Sequence, residues 1–371
     1  MRLNRGGVDK GWRGASRPCE TYLAPAPRFP ARAKRWGGER TATLADIGER
    51  RAVQLVQKIL GRRAREAARL DDAAVVRLKD AAKVEVVTTT DTLSFATHRL
   101  AGAPLRLFGQ FACAVSISDL AAMGARPQGM LMAVGLPPET AVGDLEDLAL
   151  GFRSACNRWG FDIWGGDLKE SPSPYVTGTA VGTVARGTAL RRARAIRPGW
   201  TVGVTGFVGR AAFGAAIARG GDAVGFDLVY GFEPRVEAGA RASALGGAVA
   251  CIDSSDGLVA SLLHLAAVNP GVGFDVDAGA LPVYPGLRKA VGPDKALRLC
   301  LEWGGDYELV FCAPSRTFER LREALRGTGA PLCQVGQATG EEGLFLVEEG
   351  GRSRIEGRGW EHFTGAPGEM G

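Results

Sequence analysis

Residues 246–268 read GGAVACIDSSDGLVASLLHLAAV, and the pattern changes in the middle. GAVACI is a continuous apolar run with β-branched members and predicts a strand over 246–253, whereas LVASLLHLAAV is rich in Leu and Ala and predicts a helix. Between them lies a short polar turn, Asp253-Ser254-Ser255-Asp256-Gly257. A strand feeding a helix through a short turn is a unit of α/β folds, and in open α/β sheets ligands collect at the carboxyl ends of strands. Two carboxylates in that turn mark a candidate site.

Further strands are predicted at 83–90 (KVEVVTTT), 175–184 (YVTGTAVGTV) and 200–205 (WTVGVT). Helices alternate with them. One runs from Phe111 to Met123, stopped by Gly124 with Pro127 beyond; another runs from Leu145 to Trp159, with Leu145, Leu148, Phe152 and Trp159 on one face and Gly160 as the stop. An earlier helix starts at Asp46-Ile47-Gly48-Glu49, carries Val53, Val56, Ile59 and Leu60 on one face and ends near Gly61. The arginine-rich ARAIR changes to strand around Pro198-Gly199, which sets an expected boundary between an N-terminal unit, 44–195, and a C-terminal unit, 196–371. The fold class is α/β (α+β), and 371 residues suit two domains of ordinary size.

The net charge of +6 raises nucleic-acid binding until it is located. Residues 1–43 hold ten Lys/Arg against three Asp/Glu, a net +7, which leaves the body at −1. That segment, rich in Arg, Gly and Pro, lacks apolar periodicity and reads as a disordered tail; without an apolar h-region it is not a signal peptide. A nucleic-acid partner has no other support in the chain. The seven cysteines are scattered without a C-x-x-C pair, which argues for reduced thiols in a cytoplasmic protein and against a zinc site or disulfide framework. The longest apolar runs are interrupted by Asp or Arg short of the roughly 18–20 residues a spanning helix needs, so no membrane span is expected.

Carboxylates recur at the ends of predicted elements: Asp91 after Thr89-Thr90, Asp167 after Gly165-Gly166, and Asp253 and Asp256 in the opening turn. Asp71-Asp72 precede the apolar run AAVV, and Asp119 lies inside the apolar helix ISDLAAMG, where a carboxylate needs water or a cation. Singly, Asp256 reads as a helix cap and Asp167 as a turn residue. Converging on one crevice, such carboxylates would repel unless a divalent ion neutralised them, and a set of hard oxygen donors selects Mg²⁺. No G-x-x-x-x-G-K-[ST] loop is present. The nearest glycine cluster, GVTGFVGRAAFG at 203–214, lacks the Lys-Ser/Thr pair and reads as a close-packed strand-to-helix turn. ATP would have to be held by metal on aspartates, by backbone N–H groups near Gly166, and by an arginine from ALRRARAIR.

The ordered motifs DDAAVV (71–76), TTDTL (89–93), ISDLAAMGARP (117–127), GGD (165–167), IDSSDGL (252–258), GGDYELVF (304–311) and GWEHF (359–363) resemble the thiamine-monophosphate kinases of the aminoimidazole-ribotide-synthetase-like superfamily, over about residues 46–363. The resemblance implies a two-domain fold whose N-terminal sheets pair into a barrel in a homodimer, and a C-terminal domain closing the nucleotide site. It implies phosphoryl transfer from Mg·ATP to thiamine monophosphate. Magnesium ligands are implied at Asp72, Thr89, Thr90, Asp91, Asp119, Asp167 and Asp253, with Asp256 holding a further ion. ATP contacts are implied at Gly166, Asp167, Ser255 and either Arg192 or Arg194, and acceptor contacts at His98 and Trp360. The family's GGEDYE is Trp303-Gly304-Gly305-Asp306-Tyr307-Glu308 here, so Gly305 stands where a substrate-contacting Glu is common. Other departures are Arg69-Leu70 before the paired aspartates, GGDLK for GGDTT, and Ser94-Phe95-Ala96-Thr97 before His98. The rival reading is another ATP-dependent synthetase of the superfamily, against which SDLAAMGA and the closing GWEHF weigh.

Overall fold

A computed structural model describes residues 42–43, 46–47, 55, 58–59, 83–192 and 196–357. The described positions of the expected first helix, 46–47, 55 and 58–59, are helical.

Two sheets organise the rest. The first has four strands, β1 (Val84–Ser94), β2 (Arg126–Leu136), β3 (Asp162–Glu170) and β4 (Tyr175–Ala185), in the order β1-β4-β2-β3. Helix α1 (Phe95–His98) follows β1 directly, capped by the Ser94 hydroxyl. The long α2 (Leu105–Ala122) and α3 (Val142–Trp159) then pack on the sheet. The two helices approach so closely that a Cβ at Gly109 would lie 2.0 Å from the Leu148 carbonyl oxygen, and one at Gly151 would lie 1.9 Å from that of Arg106. Glycine is required at both crossings. Helix α2 is long and apolar enough to cross a membrane, but 78% of it is buried inside the fold, where it is the central helix of the first core.

The second sheet has seven strands: β5 (Thr201–Thr205), β6 (Ala250–Asp253), β7 (Gly273–Asp277), β8 (Leu309–Ala313), β9 (Leu332–Thr339), β10 (Leu344–Glu348) and β11 (Gly351–Arg354). Their order is β11-β10-β7-β9-β5-β8-β6. Among its helices are α4 (Arg210–Arg219), α5 (Val224–Tyr230), α6 (Val236–Leu245) and α7 (Leu258–Ala267). Tyr230 and Phe232 join the core of the first sheet, so the segment after α5 reaches across from one half to the other. Helix α2 packs on both sides of this divide, against α3 and β4 and against α6 and β6.

The sequence expectations need correction at element ends. Asp91 lies inside β1 and Asp167 inside β3, not at strand ends. Aspartate disfavours strands, but all eleven residues of β1 pair antiparallel with β4, and that ladder carries Asp91 through. The helix expected from Phe111 begins at Leu105, the one expected from Leu145 begins at Val142, and the strand expected from 246 begins at Ala250.

Candidate active site

The site forms where β1 and α2 of the first half meet the end of β6 in the second. Along β1 the side chains alternate, and Thr89, Asp91 and Leu93 are more covered than Thr88, Thr90 and Thr92. The Thr89 hydroxyl donates to Asp119 Oδ2 of α2 at 2.6 Å. Thr90 belongs to the other face, where its hydroxyl pairs with that of Thr179 at 2.9 Å, so any part it plays at the cluster falls to its main chain. One residue before Asp119, the Ser118 hydroxyl donates to Asp253 Oδ2 at 2.7 Å, joining the two halves across 135 residues of chain.

Asp253 is 3% exposed, and burial pushes its pKa up to about 7; Asp119 and Asp91 add to the rise, while the Ser118 hydrogen bond and the Arg192 guanidinium oppose it. Asp91 is pushed up to about 6, again first by burial and then by Asp119, with Ser116 opposing. One of its oxygens, Oδ2, is buried without a hydrogen-bond partner. An unpaired buried carboxylate oxygen costs free energy unless something else meets it, and a cation could do so here. Carboxylate and hydroxyl oxygens without His or Cys fit Mg²⁺. No three His, Cys, Asp or Glu side chains among the described residues converge into a preformed ion cage, so further ligands must come from elsewhere.

The turn after β6 is held from below by residues 304–308. Ser254 N–H donates to the Glu308 carbonyl at 2.8 Å, Glu308 N–H to the Ser254 hydroxyl at 3.0 Å, and Gly305 N–H to the Ser255 carbonyl at 2.7 Å. Asp306 accepts from Gly209 N–H at 2.6 Å and Ala211 N–H at 2.8 Å, and burial raises its pKa to about 6. Those N–H groups open α4, so the glycine cluster at 203–214 has its helix start filled by a side chain and is no phosphate loop. Half-buried Arg210 completes the brace through Nη2, donating to the carbonyls of Gly305 at 3.0 Å and Asp306 at 3.1 Å.

Among the other expected residues, Asp167 is exposed on β3, 3.6 Å from Lys169. Gly166 beside it lies so close to β2 that a Cβ would be 1.8 Å from the Met132 carbonyl oxygen. Ser255 and Asp256 lie half-buried in the turn. Arg192 is exposed, within electrostatic reach of Asp253. His98 ends α1, with Nδ1 2.7 Å from the Thr97 hydroxyl and 3.2 Å from the Ser94 carbonyl oxygen. Asp72, Arg194 and Trp360 lie outside the described residues. Sequence reasoning missed Ser116 and Ser118. The two serines left a signal, hydroxyls placed beside Asp119 in an otherwise apolar helix.

Residues 70–184 match the family of AIR synthase related proteins, N-terminal domain. A thiamine-monophosphate kinase from Methanospirillum hungatei is 34% identical over 280 residues, 76% of this chain and 89% of its own length. The crystal structure of thiamine-monophosphate kinase from Stenotrophomonas maltophilia superposes with a TM-score of 0.69 at 32% identity, covering 79% of this chain and 95% of that one. A structure of AaThiL complexed with AMPPCP and TMP superposes with a TM-score of 0.66 at 25% identity, covering 87% and 99%. With identity of this order over most of both chains, the chain belongs to the thiamine-monophosphate kinase family.

Proposed function

We propose that this chain transfers the γ-phosphoryl group of ATP to thiamine monophosphate, giving thiamine diphosphate and ADP. The observation that carries the reading is the cluster of Asp91, Asp119 and Asp253, drawn from both halves and joined by the Ser118 to Asp253 hydrogen bond. The AMPPCP and TMP bound by AaThiL are an ATP analogue and, by this reading, the acceptor.

Both reactants are phosphates, so the chain's task is to bring two polyanions together in line. Asp72, Asp91, Asp119, Asp167 and Asp253 would hold Mg²⁺, with Asp256, Thr89 and Thr90 contributing. When bound, the ions supply charge neutralisation and alignment. An oxygen of the acceptor phosphate forms the bond to the γ-phosphorus as the bond to the β–γ bridging oxygen breaks, and ADP leaves. That oxygen is already ionised at neutral pH, so neither a side-chain nucleophile nor a general base is needed. Gly166, Ser255 and Arg192, or Arg194 in its place, would contact the nucleotide, and His98 and Trp360 the acceptor. We further read the chain as a homodimer joined through the first sheet, whose edge strand β1 leaves Val86 53% exposed.

The test is ATP consumption by the full chain with thiamine monophosphate, with thiamine, or with buffer alone. The reading requires thiamine monophosphate to be the best of the three; turnover that it does not raise above buffer would overturn it.

A further inference from the structure

Tyr307 has φ +54°, the one described non-glycine residue in the left-handed region, where a bulky side chain is strained. Such a conformation persists only where its surroundings over-determine it, and strain of this kind clusters at active sites. The surroundings here are explicit. On one side Asp306 is fixed by two N–H groups of α4, and on the other Glu308 is fixed by Arg235 and by the Thr205 hydroxyl at 2.6 Å. The Tyr307 ring stacks on Phe232, with centroids 4.3 Å apart and planes 7° from parallel, and meets Phe111 of α2 edge-on at 5.7 Å. It therefore reaches from the second sheet to the core of the first, against Phe111 of α2, and is half-buried.

Asp253, Asp91, Asp256 and Asp119 all lie within electrostatic reach of its phenol. A tyrosine needed only for packing would be served by phenylalanine. A phenol hydroxyl set among carboxylates that would hold metal and phosphate can donate to an anion brought there.

We propose that the Tyr307 hydroxyl is a catalytic hydrogen-bond donor to the phosphoryl group as it passes between ATP and the acceptor phosphate. The inference rests on the kinase reading above and adds a protein donor to a transfer otherwise assigned to the carboxylates. The strained backbone and the paired aromatic rings fix the donor's position in advance, so little reorganisation is needed at the moment of transfer.

The experiment compares Tyr307→Phe with the wild-type full chain in the thiamine-monophosphate assay. The expected result is a kcat lower by roughly 10- to 100-fold, KM values for ATP and acceptor within about twofold, and an unchanged melting temperature. Affinity for Mg·ADP with fluoroaluminate and thiamine monophosphate, which mimics the transferring group, should fall by a similar factor while affinity for Mg·AMPPCP holds. Phe232→Leu loosens the ring but keeps the hydroxyl, and should cost less than Tyr307→Phe. An unchanged kcat in Tyr307→Phe overturns the proposal and leaves the kinase reading standing. Loss of its melting transition, or equal losses of kcat and AMPPCP affinity, makes Tyr307 a packing residue and also overturns it. A wild-type chain inactive on thiamine monophosphate overturns both.

Discussion

The Ser118 hydroxyl donates to Asp253 at 2.7 Å, and this hydrogen bond ties the central helix of the first half to the last residue of β6 in the second. Its neighbour Asp119 is held in turn by Thr89 on β1. Three elements therefore position two carboxylates through hydroxyl donors. Ser118→Ala should raise the Asp253 pKa further, move the pH profile of kcat to higher pH and lower kcat by about tenfold, at a stability cost of about 1–3 kcal/mol for the lost buried donor. A pH titration of steady-state rates checks this, and an unmoved profile would show that the bond does not tune the site.

Asp91→Asn isolates charge from shape. The native carboxylate is half-buried, repelled by Asp119 and has an oxygen without a partner, so a neutral isostere relieves the metal-free fold. The variant should melt at or above the wild-type temperature in EDTA yet lose turnover and most of its Mg²⁺-dependent stabilisation. Retained turnover at limiting Mg²⁺ would remove Asp91 from the site.

Stability should depend on pH and Mg²⁺ together. Asp253 and Asp91 have folded pKa values of about 7 and about 6, above the ordinary carboxylate value. A raised folded value means the protonated form is favoured by folding, so their contribution is full below about pH 4 and is lost as pH rises through 6 and 7. Mg²⁺ competes with those protons and meets the exposed charge. The rise in melting temperature on adding Mg²⁺ should therefore be larger at pH 8 than at pH 5.5. Equal rises at the two pH values would place ion binding on other groups.

The elements that carry the candidate residues were largely legible in the sequence because their signals are local. The strand, acidic turn and helix around IDSSDGL were read from residues 246–268, and β6 does end at Asp253. Asp91 and Asp167 were misplaced at strand ends, since only the ladder with β4 and the pairing of β2 with β3 carry the strands past them. The Ser118 to Asp253 contact spans the two halves and has no local signature. Tyr307 was hidden for a related reason: its left-handed backbone is imposed by Asp306 and Glu308 through partners about 70 to 105 residues away, and no propensity reports that.

The brace under Tyr307 is itself open to test. Glu308 is 1% exposed and accepts from Arg235 Nε at 2.7 Å, from a second Arg235 nitrogen, and from Thr205 at 2.6 Å. Arg235→Ala leaves that buried carboxylate with the threonine as its remaining donor among these, which should cost about 3–5 kcal/mol. Glu308→Gln should cost less, because the neutral amide tolerates burial and still accepts from Thr205. Glu308 also donates its backbone N–H to Ser254, so loosening it should lower kcat along with stability, whereas a substitution of an exposed ion-pair residue such as Arg322 in the helix Ser315–Ala324 should change neither. Urea unfolding and steady-state rates on the three variants give the ordering. If Arg235→Ala falls within 1 kcal/mol of wild type, the ion pair does not hold the turn, and the strain at Tyr307 must be borne by Asp306 and the packing of its ring.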